Sequence, residues 1–109
     1  MLSQIIKSNR KQFLNLCKSH KIKTLFAFGS SITSNFSATS DIDLVVDIEE
    51  NDPLSKGELL LSLWDKFELF FNRKVDLLTN SSIKNPVLKE NIDSTKLLIY
   101  DGKKEEILL

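Results

Sequence analysis

Leu2, Ile5, Ile6, Phe13, Leu16 and Cys17 recur at helical spacing and predict one packing helix that runs to about Ser19. Thr24-Leu25-Phe26-Ala27-Phe28 is then a short apolar run stopped by Gly29, as expected of an inner strand covered on both faces. From Ser30 to Ser40 the chain is rich in Ser, Thr and Asn, which predicts one short helix and a loop. Ile42 to Ile48 alternates with a period of two. Ile42, Leu44, Val46 and Ile48 share one face of that strand, and Asp43, Val45 and Asp47 share the other. After a turn at Asn51-Asp52-Pro53, a long helix is expected from about Leu54 to Asn72. Leu60, Leu63, Trp64, Phe67, Phe70 and Phe71 form its buried stripe, with Glu58, Ser62 and Asp65 opposite. A third strand at Lys74–Thr79, a helix from about Pro86 to Ser94 and a fourth apolar run at Leu97–Tyr100 complete the pattern. The expected architecture is α/β (α+β), a small mixed sheet of about four strands packed with about four helices.

Composition narrows the class. The 109 residues are 41% hydrophobic and 28% charged, the profile of a globular chain with room for one core, so residues 1–109 are read as a single domain. Fifteen basic and fifteen acidic residues cancel, which leaves no bulk-charge footprint for nucleic acid. No apolar run has the length of a membrane span, the N-terminus has no leader pattern, and the single Cys17 cannot form an internal disulfide. The expectation is a reduced cytoplasmic protein without membrane contact.

The chemistry begins at Ser40-Asp41-Ile42-Asp43. Carboxylates two apart on a strand leave the same face, with Cα atoms about 6.5–7 Å apart. Aimed into one space they repel unless a cation neutralises them, and hard oxygen ligands at this spacing suit Mg²⁺. Asp-x-Asp alone is weak evidence, and by itself fits a solvated strand entrance better. An EF-hand fails, because Val45 occupies a ligand position and Val46 that of the required glycine. Gly29-Ser30 sits where a strand gives way to a helix, and there free N–H groups and a hydroxyl can meet an anion. No Gly-Lys-Ser/Thr occurs, which excludes a P-loop. Asp76 stands alone in Lys74-Val75-Asp76-Leu77-Leu78 and reaches the Asp43 face only if the two strands are neighbours.

Phe28-Gly29-Ser30, nine further residues, Ser40-Asp41-Ile42-Asp43-Leu44-Val45-Val46 and a downstream Val75-Asp76-Leu77 together resemble the DNA polymerase β-type nucleotidyltransferase superfamily. More narrowly, the chain is similar to the minimal nucleotidyltransferases (MNT) that partner HEPN-domain toxins, and the likeness extends from about Lys21 to Tyr100. The resemblance implies a palm-like nucleotidyltransferase fold. It also implies that Asp41, Asp43 and Asp76 ligate two Mg²⁺ ions and form the catalytic set, with Asp76 as general base, while Gly29 and Ser30 hold the triphosphate of ATP. The implied reaction moves AMP from ATP to a hydroxyl, in this group a tyrosine of a HEPN toxin, which makes the chain an antitoxin. The match departs in one place: many members carry Arg-Gly where this chain has Thr33-Ser34, which removes a potential phosphate contact.

Two other readings stand beside this one. A catalytically weak relative would neutralise its partner by occlusion, and an aminoglycoside-like small-molecule nucleotidyltransferase would need an acceptor site that 109 residues leave little room for. Assembly with itself or with a partner chain is compatible with each. His20 suits a structural place at the helix end, Cys17 a small core position and Lys89 a solvated face. Tyr100 suits the sheet edge rather than automodification, and Lys103–Glu106 a frayed tail.

Overall fold

The computed structural model describes residues 2–109. Two helices open the chain, α1 (Leu2–Ser8) and α2 (Arg10–Ser19), where the apolar stripe predicts one. The stripe stays in phase, with Leu2, Ile6, Phe13 and Cys17 all buried, so periodicity gives no sign of the break. Its cause is local. The Ser8 hydroxyl takes the carbonyl of Gln4 at 2.7 Å, and Asn9 leaves helical geometry at φ −132° and ψ 42°. Both residues compete with the helix for backbone groups.

The strands are β1 (Ile22–Phe28), β2 (Ile42–Ile48), β3 (Val75–Leu78), β4 (Leu97–Asp101) and β5 (Glu106–Ile107), in the order β3-β2-β1-β4-β5. Among the described residues only β2 and β3 pair in parallel, so the sheet is mixed, as expected, with one strand more than expected. The extra strand lies where a frayed tail is expected. Gly102 turns the chain, its N–H donating to the Lys23 carbonyl at 2.8 Å, and Ile107 then pairs with Tyr100. A Cβ on Gly102 would lie 2.0 Å from the Ile22 carbonyl oxygen, so only glycine allows this approach. Tyr100 is accordingly buried inside the sheet, between β1 and β5, rather than at its edge.

Helix α3 (Pro53–Phe71) starts where Asp52 accepts the Ser55 N–H at 3.0 Å with Pro53 next in line, and stops at Asn72 in the left-handed region. Its Leu63, Phe67 and Phe71 join α1 and α2 over Ile42, Leu44 and Val46 to form the main core. The opposite sheet face is thinner. Helix α4 (Pro86–Thr95) lays Ile92 against Val45, with Ile83, Phe26, Phe28 and Leu78 around them. Asp43 and Asp76 belong to this second face, which one short helix only partly covers.

Candidate active site

Asp41, Asp43, Asp76 and Gly29 come together at one end of the thin face. The register of β2 on β3 sets Asp43 directly opposite Asp76, a neighbouring-strand separation of about 4.8 Å. The register of β1 on β2 sets Phe28 opposite Asp43 and so delivers Gly29 to the same spot. Burial pushes the Asp43 carboxyl above its ordinary range, and the charges of Asp76 and then Asp41 push it further in the same direction. Each of the other two aspartates is thus close enough for Asp43 to feel its charge. Among the described residues, no lysine or arginine forms an ion pair with any of the three.

Gly29 has a second reason to be glycine beyond its φ of +63°. A Cβ there would stand 2.8 Å from Oδ2 of Asp43. The chain bends at Gly29 into a single 3₁₀ turn, Gly29–Ile32, closed by the Thr33 N–H on the Ser30 carbonyl at 3.2 Å. Ser30 is half-buried, and its hydroxyl makes no hydrogen bond among the described residues.

Three residues that spacing and periodicity do not single out hold this geometry. Ser31, buried in the turn, accepts the backbone N–H of Asp43 at 2.9 Å and so ties the Gly-Ser turn to the aspartate strand. Arg73, two residues before β3, donates from Nη1 to the carbonyls of Ser37 (2.9 Å) and Ser40 (3.2 Å). Its guanidinium also lies 4.8 Å from the centre of the Phe36 ring, which fixes the loop that leads into Asp41. Glu68 of α3 accepts the Val75 N–H at 3.0 Å, and Trp64 Nε1 donates to the Val75 carbonyl at 2.7 Å. Those two bonds satisfy Val75 on the outer edge of β3 and hold Asp76 in register. A hydroxyl in Ser-Ser and an arginine in Asn72-Arg73-Lys74 are too ordinary in sequence to announce these contacts.

Other candidates have settled places. His20 is buried at the end of α2, with Nδ1 2.8 Å from the Leu16 carbonyl and Nε2 3.0 Å from the Ser62 hydroxyl. Ser62, expected on the open side of α3, is therefore engaged. Cys17 is a core residue whose thiol burial pushes well above its usual range. Lys89 pairs with Asp93 at 3.1 Å on the exposed side of α4.

The donor set fits a hard divalent cation. Among the described residues, no three acidic, thiol or imidazole groups form a ready-made cage. Mg²⁺ does not need one, since one or two carboxylates, water and substrate phosphates complete its shell. An Asp43 carboxyl opposed by the charges of Asp76 and Asp41, without a cationic side chain to pair with, is the arrangement such an ion would relieve. Asp41 and Asp43, with Asp76 opposite, are the residues that could hold it.

Comparison with known proteins bears on the family and the fold. The sequence profile of the family described as "Polymerase beta, Nucleotidyltransferase" matches residues 11–105. A Methanocaldococcus jannaschii protein named "Putative protein adenylyltransferase" is 37% identical over 99 residues, covering 91% of this chain and 96% of its own length. A solved structure titled "putative minimal nucleotidyltransferase" superimposes with a TM-score of 0.60 at 27% identity, over 88% of this chain and 93% of its own. A chain from a toxin–antitoxin structure with AMP-PNP shares the fold, with a TM-score of 0.61 at 21% identity, over 89% of this chain and 77% of its own.

Proposed function

The chain belongs to the polymerase beta nucleotidyltransferase family, and from that premise we propose that it moves AMP from ATP to a hydroxyl of a partner protein. In this reading residues 1–109 act as a single domain in the cytoplasm, in an antitoxin role, with a tyrosine of a HEPN-type toxin as acceptor. The observation that supports it most is the Asp43 carboxyl, faced by Asp76 across the strand pair and set so close to Gly29 that a Cβ there would meet its Oδ2. Carboxylates beside a glycine turn suit a triphosphate brought in with divalent metal. The adenylyltransferase name of the similar M. jannaschii protein favours AMP as the group transferred and protein as the acceptor.

Asp41 and Asp43 would hold the metal, two Mg²⁺ ions in this reading, with Asp76 on the acceptor side. When bound, such ions neutralise the triphosphate and acidify an acceptor hydroxyl. The chain's own residues do the rest. Gly29 and Ser30 position the triphosphate through main-chain N–H groups and the free Ser30 hydroxyl. Asp76 takes the proton of the acceptor hydroxyl, whose oxygen forms a bond to the α-phosphorus. The bond from the α-phosphorus to the oxygen bridging it to the β-phosphorus breaks, and pyrophosphate leaves with that electron pair.

One observation favours the occlusion reading. Thr33 stands where many relatives carry arginine, and its hydroxyl is already engaged with the Ser30 carbonyl at 3.3 Å and the Asn35 N–H at 3.2 Å. Incubation with the cognate toxin, Mg²⁺ and ATP labelled at the α-phosphate separates the readings. Label is expected on the toxin with the wild type and on none with Asp41→Asn or Asp43→Asn. A wild type that protects cells yet leaves the toxin unlabelled would establish occlusion. Label found on small hydroxyl compounds alone would move the acceptor away from protein.

A further inference from the structure

A trough of about 400 Å³ runs from the Gly29 turn along α4 and shares Gly29 with the aspartate site. Phe28, Ile32, Leu88 and Ile92 give it apolar walls, Thr33, Asn91 and Thr95 add neutral polar groups, and among the described residues no charged side chain lines it. We propose that this trough receives the nucleoside end of the nucleotide, with Phe28 as the surface on which the base stacks and Asn91 as the side chain that reads its edge. The inference rests on the nucleotidyl-transfer reading above and adds the part of the site that would select the base.

Position, surface chemistry and an unengaged amide point the same way. In the sheet order, Asp76 lies on β3 beyond β2, whereas the trough lies over Phe28 of β1 on the other side of β2. An in-line displacement keeps acceptor and leaving group on opposite sides of the reacting phosphorus. With the acceptor beside Asp76, the leaving pyrophosphate lies on the β1 side at Gly29, and the trough that opens there is the apolar surface within reach of the nucleoside carried on the same α-phosphorus. A triphosphate gains little from walls of Phe, Ile and Leu, whereas the flat face of a base gains from them. Leu88 is 48% exposed and Phe28 only half-buried, so apolar surface is open to a ligand there. The Asn91 backbone carbonyl accepts from the Ser94 and Thr95 hydroxyls, but its side-chain amide makes no hydrogen bond among the described residues. An amide offering one donor and one acceptor side by side matches the donor–acceptor edge of adenine.

Calorimetric titration with ATP, GTP and inorganic tripolyphosphate, each with Mg²⁺, tests this on the wild type, Phe28→Leu and Asn91→Ala. The wild type is expected to bind ATP about tenfold tighter than tripolyphosphate, the worth of one good stacking contact. Phe28→Leu should lose most of that margin while its tripolyphosphate affinity, which also reports an intact fold, stays level. Asn91→Ala should narrow the preference for ATP over GTP. Equal wild-type affinity for ATP and tripolyphosphate would overturn the trough while leaving the phosphate and metal site standing. A full ATP margin kept by both variants would also overturn it. Binding of neither ligand would remove the nucleotide site itself, and the trough with it.

Discussion

Gly29 and Asp43 are two halves of one steric fact. A methyl at Gly29 needs the space of an Asp43 oxygen and a backbone at φ +63° that side chains resist. Gly29→Ala should therefore cost about 1 kcal/mol or more in stability. It should lower AMP transfer by about a hundredfold, since a displacement of about 1 Å has that effect on an aligned reaction. Stopped-time labelling beside a thermal melt checks both. Ser31→Ala strands the Asp43 N–H without touching any carboxylate. A loss of about 1–2 kcal/mol is expected by denaturant titration. Asp43 also gives the metal-free protein a definite pH signature. Its carboxyl is raised above 3.8 in the fold, so between 3.8 and the raised value the native state holds more protons than the unfolded chain. Stability contributed by this group is therefore fully present below 3.8 and is lost as pH rises through the folded value. Asp43→Asn removes that penalty and should melt higher than wild type at pH 7 in EDTA. After screening by water and salt the gain is about 0.5–1 kcal/mol. At pH 3.5 the gain should vanish.

At the scale of elements, the site depends on the edge of β3 and on the loop before β2. Both are held by side chains from elsewhere in the chain. Val75 turns its N–H and carbonyl away from β2, and without Glu68 and Trp64 both groups would face an unsatisfied edge. Glu68→Ala should cost about 1–2 kcal/mol, or roughly 5–10 °C in Tm for a domain of this size. Glu68→Gln keeps an acceptor oxygen and should recover most of it. Arg73 acts on the second element through two hydrogen bonds from Nη1 and a guanidinium over the Phe36 ring, a combination lysine lacks. Arg73→Lys is therefore expected to release Ser37–Ser40 to faster amide hydrogen exchange, with the core strands unchanged. Normal protection of that loop in the variant would show that the arginine does not hold it.

Across the whole molecule, pattern was most legible where one face of an element is continuously buried. Ile42, Leu44, Val46 and Ile48 sink into the main core while Asp43 and Asp47 stay half-buried, so a period of two marks β2 directly. The break at Asn9 was not legible because the apolar stripe keeps its phase across it. Strand β5 was not legible because two residues make no pattern; it forms through pairing with Tyr100. The site divides in the same way. Gly29, Ser30, Asp41 and Asp43 are marked by local spacing, whereas Asp76 joins them only through strand pairing, and Ser31 and Arg73 act across long stretches of chain. On the function proposed above, the three aspartates form one metal-dependent nucleotide site. Thermal melting of wild type and Asp43→Asn at pH 7 tests it most directly, first in EDTA and then with Mg²⁺ and ATP. Asp43→Asn should melt a few degrees higher in EDTA. Mg²⁺ with ATP should then raise the wild type above it, because a ligand stabilises the protein that keeps its site. Equal shifts in both proteins, with the order unchanged, would contradict a shared site.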